Sequence, residues 1–193
     1  VINDAAPAPV LNLANYLTMA RLALVPVFVA VFFVDGAHNS GWRVAAWVAF
    51  AIASVTDRID GDIARRRGLV TDFGKVADPI ADKALTGAAL VSLSIVNELP
   101  WWVTVVILVR EVGVTALRFW VIRYGVIPAS RGGKIKTMLQ GVGLGMYVLP
   151  LTGWVHEIAV LVMAVAIAVT LVTGGDYVFR ALAVRRAGRK LTA

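Results

Sequence analysis

The stretch Val44-Ala-Ala-Trp-Val-Ala-Phe-Ala-Ile-Ala-Ser-Val-Thr56 runs without a break into Asp57-Arg-Ile-Asp60-Gly61-Asp62-Ile-Ala64-Arg65. An apolar segment that ends on carboxylates three residues apart predicts a helix with Asp57 and Asp60 on one face. Gly61 and Ala64 continue that face. A second pair follows in Asp78-Pro-Ile-Ala-Asp82-Lys83, where the spacing of four again places both carboxylates on one side of a helix, with Pro79 expected in its first turn. Working outward, five further apolar segments appear. They lie at about Tyr16–Val34, Pro79–Val96, Trp101–Ile122, Ile135–Leu151 and Ile158–Val178.

The composition agrees with burial in lipid. Of the 193 residues, 59% are hydrophobic and only 16% charged, and the mean hydropathy is +0.79. A water-soluble domain of this size could not hide so much apolar surface, and the same excess excludes disorder. At ~20 residues per span there is room for about six spans and short loops. The expected fold is therefore an all-α integral membrane protein, a six-helix transmembrane bundle forming one domain over 1–193. Residues 1–15 would be a juxtamembrane segment and 179–193 a basic tail. Val1–Asn12 has neither a basic leader nor a small-residue cleavage site, so no signal peptide is expected there. No cysteine is present, which removes disulfides, thiolate metal sites and Cys nucleophiles.

Charge sets the orientation. The connections 35–42, 97–100 and 153–157 carry Asp35, Glu98 and Glu157 but no Lys or Arg. Arg65, Arg66, Arg67, Lys75, Arg123, Arg131, Lys134, Lys136 and the tail cations fall on the other side. The positive-inside rule makes that side, and both termini, cytoplasmic. Trp42, Trp101, Trp102 and Trp154 sit at the opposite ends of the spans, where an aromatic belt belongs. The net charge of +7 then points to anionic head groups rather than to nucleic acid. Gly141 and Gly145 form a G-x-x-x-G spacing that suits either packing within the bundle or a dimer seam.

Four carboxylates at paired helical spacing repel one another and are costly at membrane depth. Hard oxygen donors without His or Cys suit Mg²⁺ or Mn²⁺, and four could hold two such ions for phosphoryl chemistry. Solvated surface pairing with Arg58, Arg65, Arg66 and Lys83 is the plainer alternative. It suits Asp62 and Asp72 better, since Asp72 is expected in a loop. Gly61, Ala64 and Gly74 would let a flat base or ribose approach the helix backbone. Arg65 has the planar fork that meets phosphate, and Thr71 offers a loop hydroxyl.

Taken together, Asp57, Asp60-Gly61, Ala64-Arg65, Gly74, Asp78 and Asp82 match the pattern D-x2-D-G-x2-A-R-x8-G-x3-D-x3-D at every fixed position. The chain thereby resembles the CDP-alcohol phosphotransferases. The resemblance implies that CDP-diacylglycerol donates its phosphatidyl group to an alcohol, releasing CMP. It also implies that Asp57, Asp60 and Asp78 are metal ligands and that Asp82 is both ligand and general base. Gly61, Ala64, Arg65, Thr71 and Gly74 would line the CDP site, with Asn15 and Thr18 reaching it from the opening helix. A homodimer in a bacterial plasma membrane, with its active site at the cytoplasmic face, is implied in the same way. Asn12–Arg21, Val70–Lys75, Arg110-Glu111, Arg118 and Pro128–Gln140 are similar to the bacterial members that use glycerol 3-phosphate.

Arg110 and Arg118, inside the fourth span and about 80° apart around it, demand a reason. One is pairing with Glu111 or a motif Asp. The other is a phosphate pocket completed by Lys134 and Lys136, with Ser130 and Arg131 contributing. That pocket predicts a phosphorylated acceptor; the resemblance to the bacterial members implies glycerol 3-phosphate, with inositol phosphate as the alternative. A divalent-cation transporter is the competing class of function, but no inverted repeat supports it.

Overall fold

The computed structural model describes residues 12–67, 71–121 and 131–191, with side chains at 12, 15–57, 71, 77–121 and 132–185. The described residues are helical and contain no strand. Helices α1 (Leu13–Phe32), α2 (Ser40–Arg67), α3 (Asp72–Ile95), α4 (Trp101–Val121), α5 (Arg131–Val148) and α6 (Trp154–Leu191) follow one another in chain order. They divide into two compact units.

The first unit holds α1, α2, α3 and the segment Val148–Pro150. Asn12 caps α1, its side chain accepting from the Asn15 N–H at 3.0 Å. A short 3₁₀ turn, Val34–Ala37, reverses the chain. Gly36 sits there at φ +63° and Asp35 at φ 57°, the left-handed region that Gly and Asp tolerate best. Asn39 then caps α2, accepting from the Gly41 and Trp42 N–H groups. Helix α1 packs along both α2 and α3. The shared core is Phe28, Phe32, Phe50, Leu85, Leu90 and Leu93, with Ala46, Ala53, Ala81 and Ala89 allowing close approach. The rings of Phe28 and Phe50 lie 5.9 Å apart. Arg43, also buried, donates from Nε to the Val148 carbonyl at 3.0 Å and lies over the Phe32 ring.

Helix α3 begins at Asp72, about two turns before the expected start. Asp72 is thus a first-turn residue rather than part of a loop, and Pro79 is interior rather than initial. An acidic residue at a helix N-terminus is favourable. Pro79 removes one backbone donor, a loss that this exposed position carries within an unbroken helix.

The second unit contains α4, α5 and α6. Helix α4 packs on α6, closing at one end on Val121, Ala181, Tyr177 and Val184, where the Arg185 guanidinium stacks 4.4 Å from the Trp120 ring. A Cβ on Gly143 would come within 3.3 Å of Met163, so α5 approaches α6 closely there. Helix α6 runs far past the expected end of the last span. Its 38 residues reach about 57 Å, so the basic tail continues the helix as far as Leu191.

Among the described residues two helices are long and apolar enough to cross a membrane, over Asn15–Phe32 and Trp154–Arg185. Large apolar side chains face outward in both units, among them Val109, Val112, Phe119, Leu161, Val172 and Phe179. Trp42, Trp101, Trp102 and Trp154 are exposed in the first turns of their helices, where amphipathic rings suit a membrane interface.

Candidate functional site

One row of polar side chains on α1 organises the first unit. Asn12, Asn15, Thr18 and Arg21 recur every three residues, each member stepping back about 60° around the helix. All four are buried, and Arg21 completely so. The stepping lets one helix address three other segments. Asn15 Nδ2 donates to Thr71 Oγ1 at 2.8 Å, and the Thr71 hydroxyl donates back to Asn15 Oδ1 at 3.1 Å. Thr18 Oγ1 donates to Asp78 Oδ1 at 2.6 Å. Arg21 Nη1 donates to Asp57 Oδ1 in an ion pair.

Asp57 of α2 and Asp78 of α3, the first member of each spaced carboxylate pair, are therefore both held from α1. Asp82 lies one turn beyond Asp78 and is half-buried. Thr71 is buried immediately before α3. Asp60, Gly61, Ala64 and Arg65 lie on α2 and Gly74 on α3, but beyond these helical positions their surroundings fall outside the described residues. Among the described residues no three His, Cys, Asp or Glu side chains gather around a common point, and Asp60 is not among them. The donor chemistry still suits a hard divalent cation. Asp57 and Asp78 each use a single named oxygen toward α1, and the Asp57 side chain is 38% exposed.

The second unit gathers a different set. Arg110 Nη1 and Lys136 Nζ both donate to Glu111 Oε1, the former at 3.1 Å. Arg110 Nη2 donates to Thr173 Oγ1 at 3.1 Å, and the Thr173 hydroxyl donates to the Val169 carbonyl at 2.7 Å. Adjacent residues on a helix do not ordinarily face one another. Here Lys136, reaching across from α5, shares the carboxylate that Arg110 meets. Of the two readings of Arg110, pairing with Glu111 is thus present, and it brings Lys136 along. Arg110 also lines an apolar groove of about 250 Å³ with Gly113, Leu117, Thr170 and Gly174. A Cβ on Gly174 would come within 3.2 Å of Arg110 Cγ, so the absent side chain leaves room for the arginine stem. Arg118 and Lys134 are exposed. Ser130 and the Arg131 side chain lie outside the described residues.

Two contributors escape a reading by motif. Arg21 lies outside the spaced carboxylate pattern, and the three-residue polar recurrence on an apolar helix is its signal. Glu111 reads only as a possible counter-ion until the α5 lysine is placed beside it.

Known proteins are similar to this sequence. The family pattern described as CDP-alcohol phosphatidyltransferase matches residues 11–172. A probable phosphatidylglycerophosphate synthase of Mycobacterium tuberculosis is 58% identical over 178 residues, spanning 92% of this chain and 85% of that protein. The CDP-diacylglycerol--glycerol-3-phosphate 3-phosphatidyltransferases of Rickettsia felis and Bacillus subtilis are each 38% identical, covering 86% of this chain and 93% of theirs. Since the match takes in the α1 polar row, both carboxylate pairs and the Arg110, Glu111 and Lys136 positions alike, the chain belongs to the CDP-alcohol phosphatidyltransferase family and is an enzyme of that family.

Proposed function

We propose that the chain transfers a phosphatidyl group from CDP-diacylglycerol to glycerol 3-phosphate, giving phosphatidylglycerophosphate and CMP. The reading is carried by the α1 row that fixes Asp57, Asp78 and Thr71. It is supported by relatives whose names specify this reaction. Asp57, Asp60, Asp78 and Asp82 would hold Mg²⁺ or Mn²⁺, two ions by the donor count. Such ions, when bound, neutralise the donor's pyrophosphate and stabilise the departing CMP. Asn15 and Thr18 act through Thr71 and Asp78, which they hold in place. Gly61, Ala64 and Gly74 leave the backbone open to the cytidine, and Arg65 meets a phosphate.

The acceptor hydroxyl attacks the phosphorus that bears the diacylglycerol. A new P–O bond forms, the bond to the bridging oxygen breaks, and CMP leaves with the electron pair. Asp82 takes the hydroxyl proton, which requires an approach of about 2.6–3.2 Å. Arg110 and Lys136 supply positive charge for the acceptor's own phosphate, with Arg118, Ser130, Arg131 and Lys134 around it. The neutral groove surface beside Arg110 gives that charge little competing solvent.

The same reading places six spans in a bacterial plasma membrane, with both termini and the reacting groups at the cytoplasmic face and a second copy completing a homodimer. The alternation of loop charge supports that orientation. The decisive experiment measures CMP release by purified protein in CDP-diacylglycerol vesicles, with glycerol 3-phosphate, inositol phosphate, glycerol and serine offered in turn. Release with glycerol 3-phosphate that disappears on chelation is the expected result. Release with inositol phosphate and none with glycerol 3-phosphate would overturn the acceptor assignment.

A further inference from the structure

We propose that Arg21 is a positioning residue whose buried charge sets the affinity of the carboxylate cluster for divalent cations. This inference rests on the metal-site reading above. The Arg21 side chain is wholly buried and ion-paired to Asp57, whose side chain remains 38% exposed. Removing a guanidinium from water is costly unless a charged partner compensates. The ion pair therefore serves two purposes. It orients one Asp57 oxygen toward α1, leaving the exposed part of the side chain for a ligand. It also adds a permanent positive charge beside a set of aspartates that would otherwise repel one another.

Thr18, one turn earlier on α1, holds Asp78 with a neutral hydroxyl at 2.6 Å. One carboxylate is thus fixed without change of charge and the other with it. A fixed cation close to a bound divalent ion repels it, and through a protein interior that repulsion is little screened. Arg21 accordingly weakens cation binding while keeping the empty cluster folded. The result is a site that takes up its ions reversibly rather than one that needs them in order to fold.

The test is Mn²⁺ binding to purified full-length protein in detergent, followed by electron paramagnetic resonance, together with thermal unfolding with and without Mg²⁺. Arg21→Gln is expected to bind Mn²⁺ about tenfold more tightly than the unsubstituted protein, and to gain far more thermal stability from Mg²⁺. Arg21→Lys keeps the charge and should bind within about threefold of the unsubstituted protein. Equal affinity in Arg21→Gln and the unsubstituted protein, or an equal change in Arg21→Lys and Arg21→Gln, would overturn the proposal. If Arg21→Gln fails to fold, the Arg21→Lys affinity alone decides, and a change of tenfold or more counts against it. Absence of Mn²⁺ binding by the unsubstituted protein would instead remove the metal site itself.

Discussion

The two polar regions of this protein solve opposite electrostatic problems. Around α1, α2 and α3 two carboxylates are held, one by a buried arginine and one by a neutral hydroxyl, with an asparagine holding Thr71 beside them. Around α4, α5 and α6 the cations dominate, and one glutamate oxygen gathers two of them. The first region is suited to cations, the second to an anion. The supports differ as well. Asp57, Asp78 and Thr71 are held by residues 36 to 60 positions away in sequence, whereas Arg110, besides its bond to the distant Thr173, pairs with its immediate neighbour. An acidic site built on local spacing thus depends on a distant helix for its orientation. The basic site has its counter-ion built in.

The comparison can be broken most severely at Asp82. Asp82→Asn should cut turnover by about 10²–10⁴-fold, the usual worth of general base catalysis, while CDP-diacylglycerol binding changes little. Parallel CMP-release and donor-binding measurements would show it, and near-normal turnover would remove Asp82 from the proton transfer. The basic region comes next. Arg110→Met should raise KM for glycerol 3-phosphate by about 10–100-fold, as expected for losing charge-assisted hydrogen bonds, with a much smaller change in kcat. A fall in kcat at constant KM would instead mark the arginine as part of the reacting centre.

The smallest effect should come from Thr18→Val. It removes the 2.6 Å bond to Asp78 with little change of shape and should cost about 1 kcal/mol in unfolding free energy. Activity should drop several-fold, and Thr18→Ser should restore most of it. If valine and serine behave alike, the hydroxyl does not hold Asp78.

Much of this was readable along the chain because helical periodicity is a local property. Asp57 with Asp60, and Asp78 with Asp82, share helices as their spacing requires. The start of α3 was not readable, because Asp72–Ala77 is polar enough to resemble a loop while still forming helix. The far end of α6 escaped for the same reason. Charge also separates the other helices from the two candidate spans. Asp78, Asp82 and Lys83 in α3, Arg110, Glu111 and Arg118 in α4, and Arg131, Lys134 and Lys136 in α5 lower the apolar character of helices that carry the proposed chemistry. Only α1 and α6, among the described residues, meet the length and hydropathy of a span outright.

The amino-acid order alone determined the family pattern, the helical class and the sign of each charged cluster, since these follow from spacing and composition. Tertiary structure decided which groups meet: Arg21 with Asp57, Thr18 with Asp78, Asn15 with Thr71, and Lys136 with Glu111. Those pairs join different helices, and their distances depend on how the helices pack. Periodicity within one segment can place a side chain on a face but cannot name what stands opposite it.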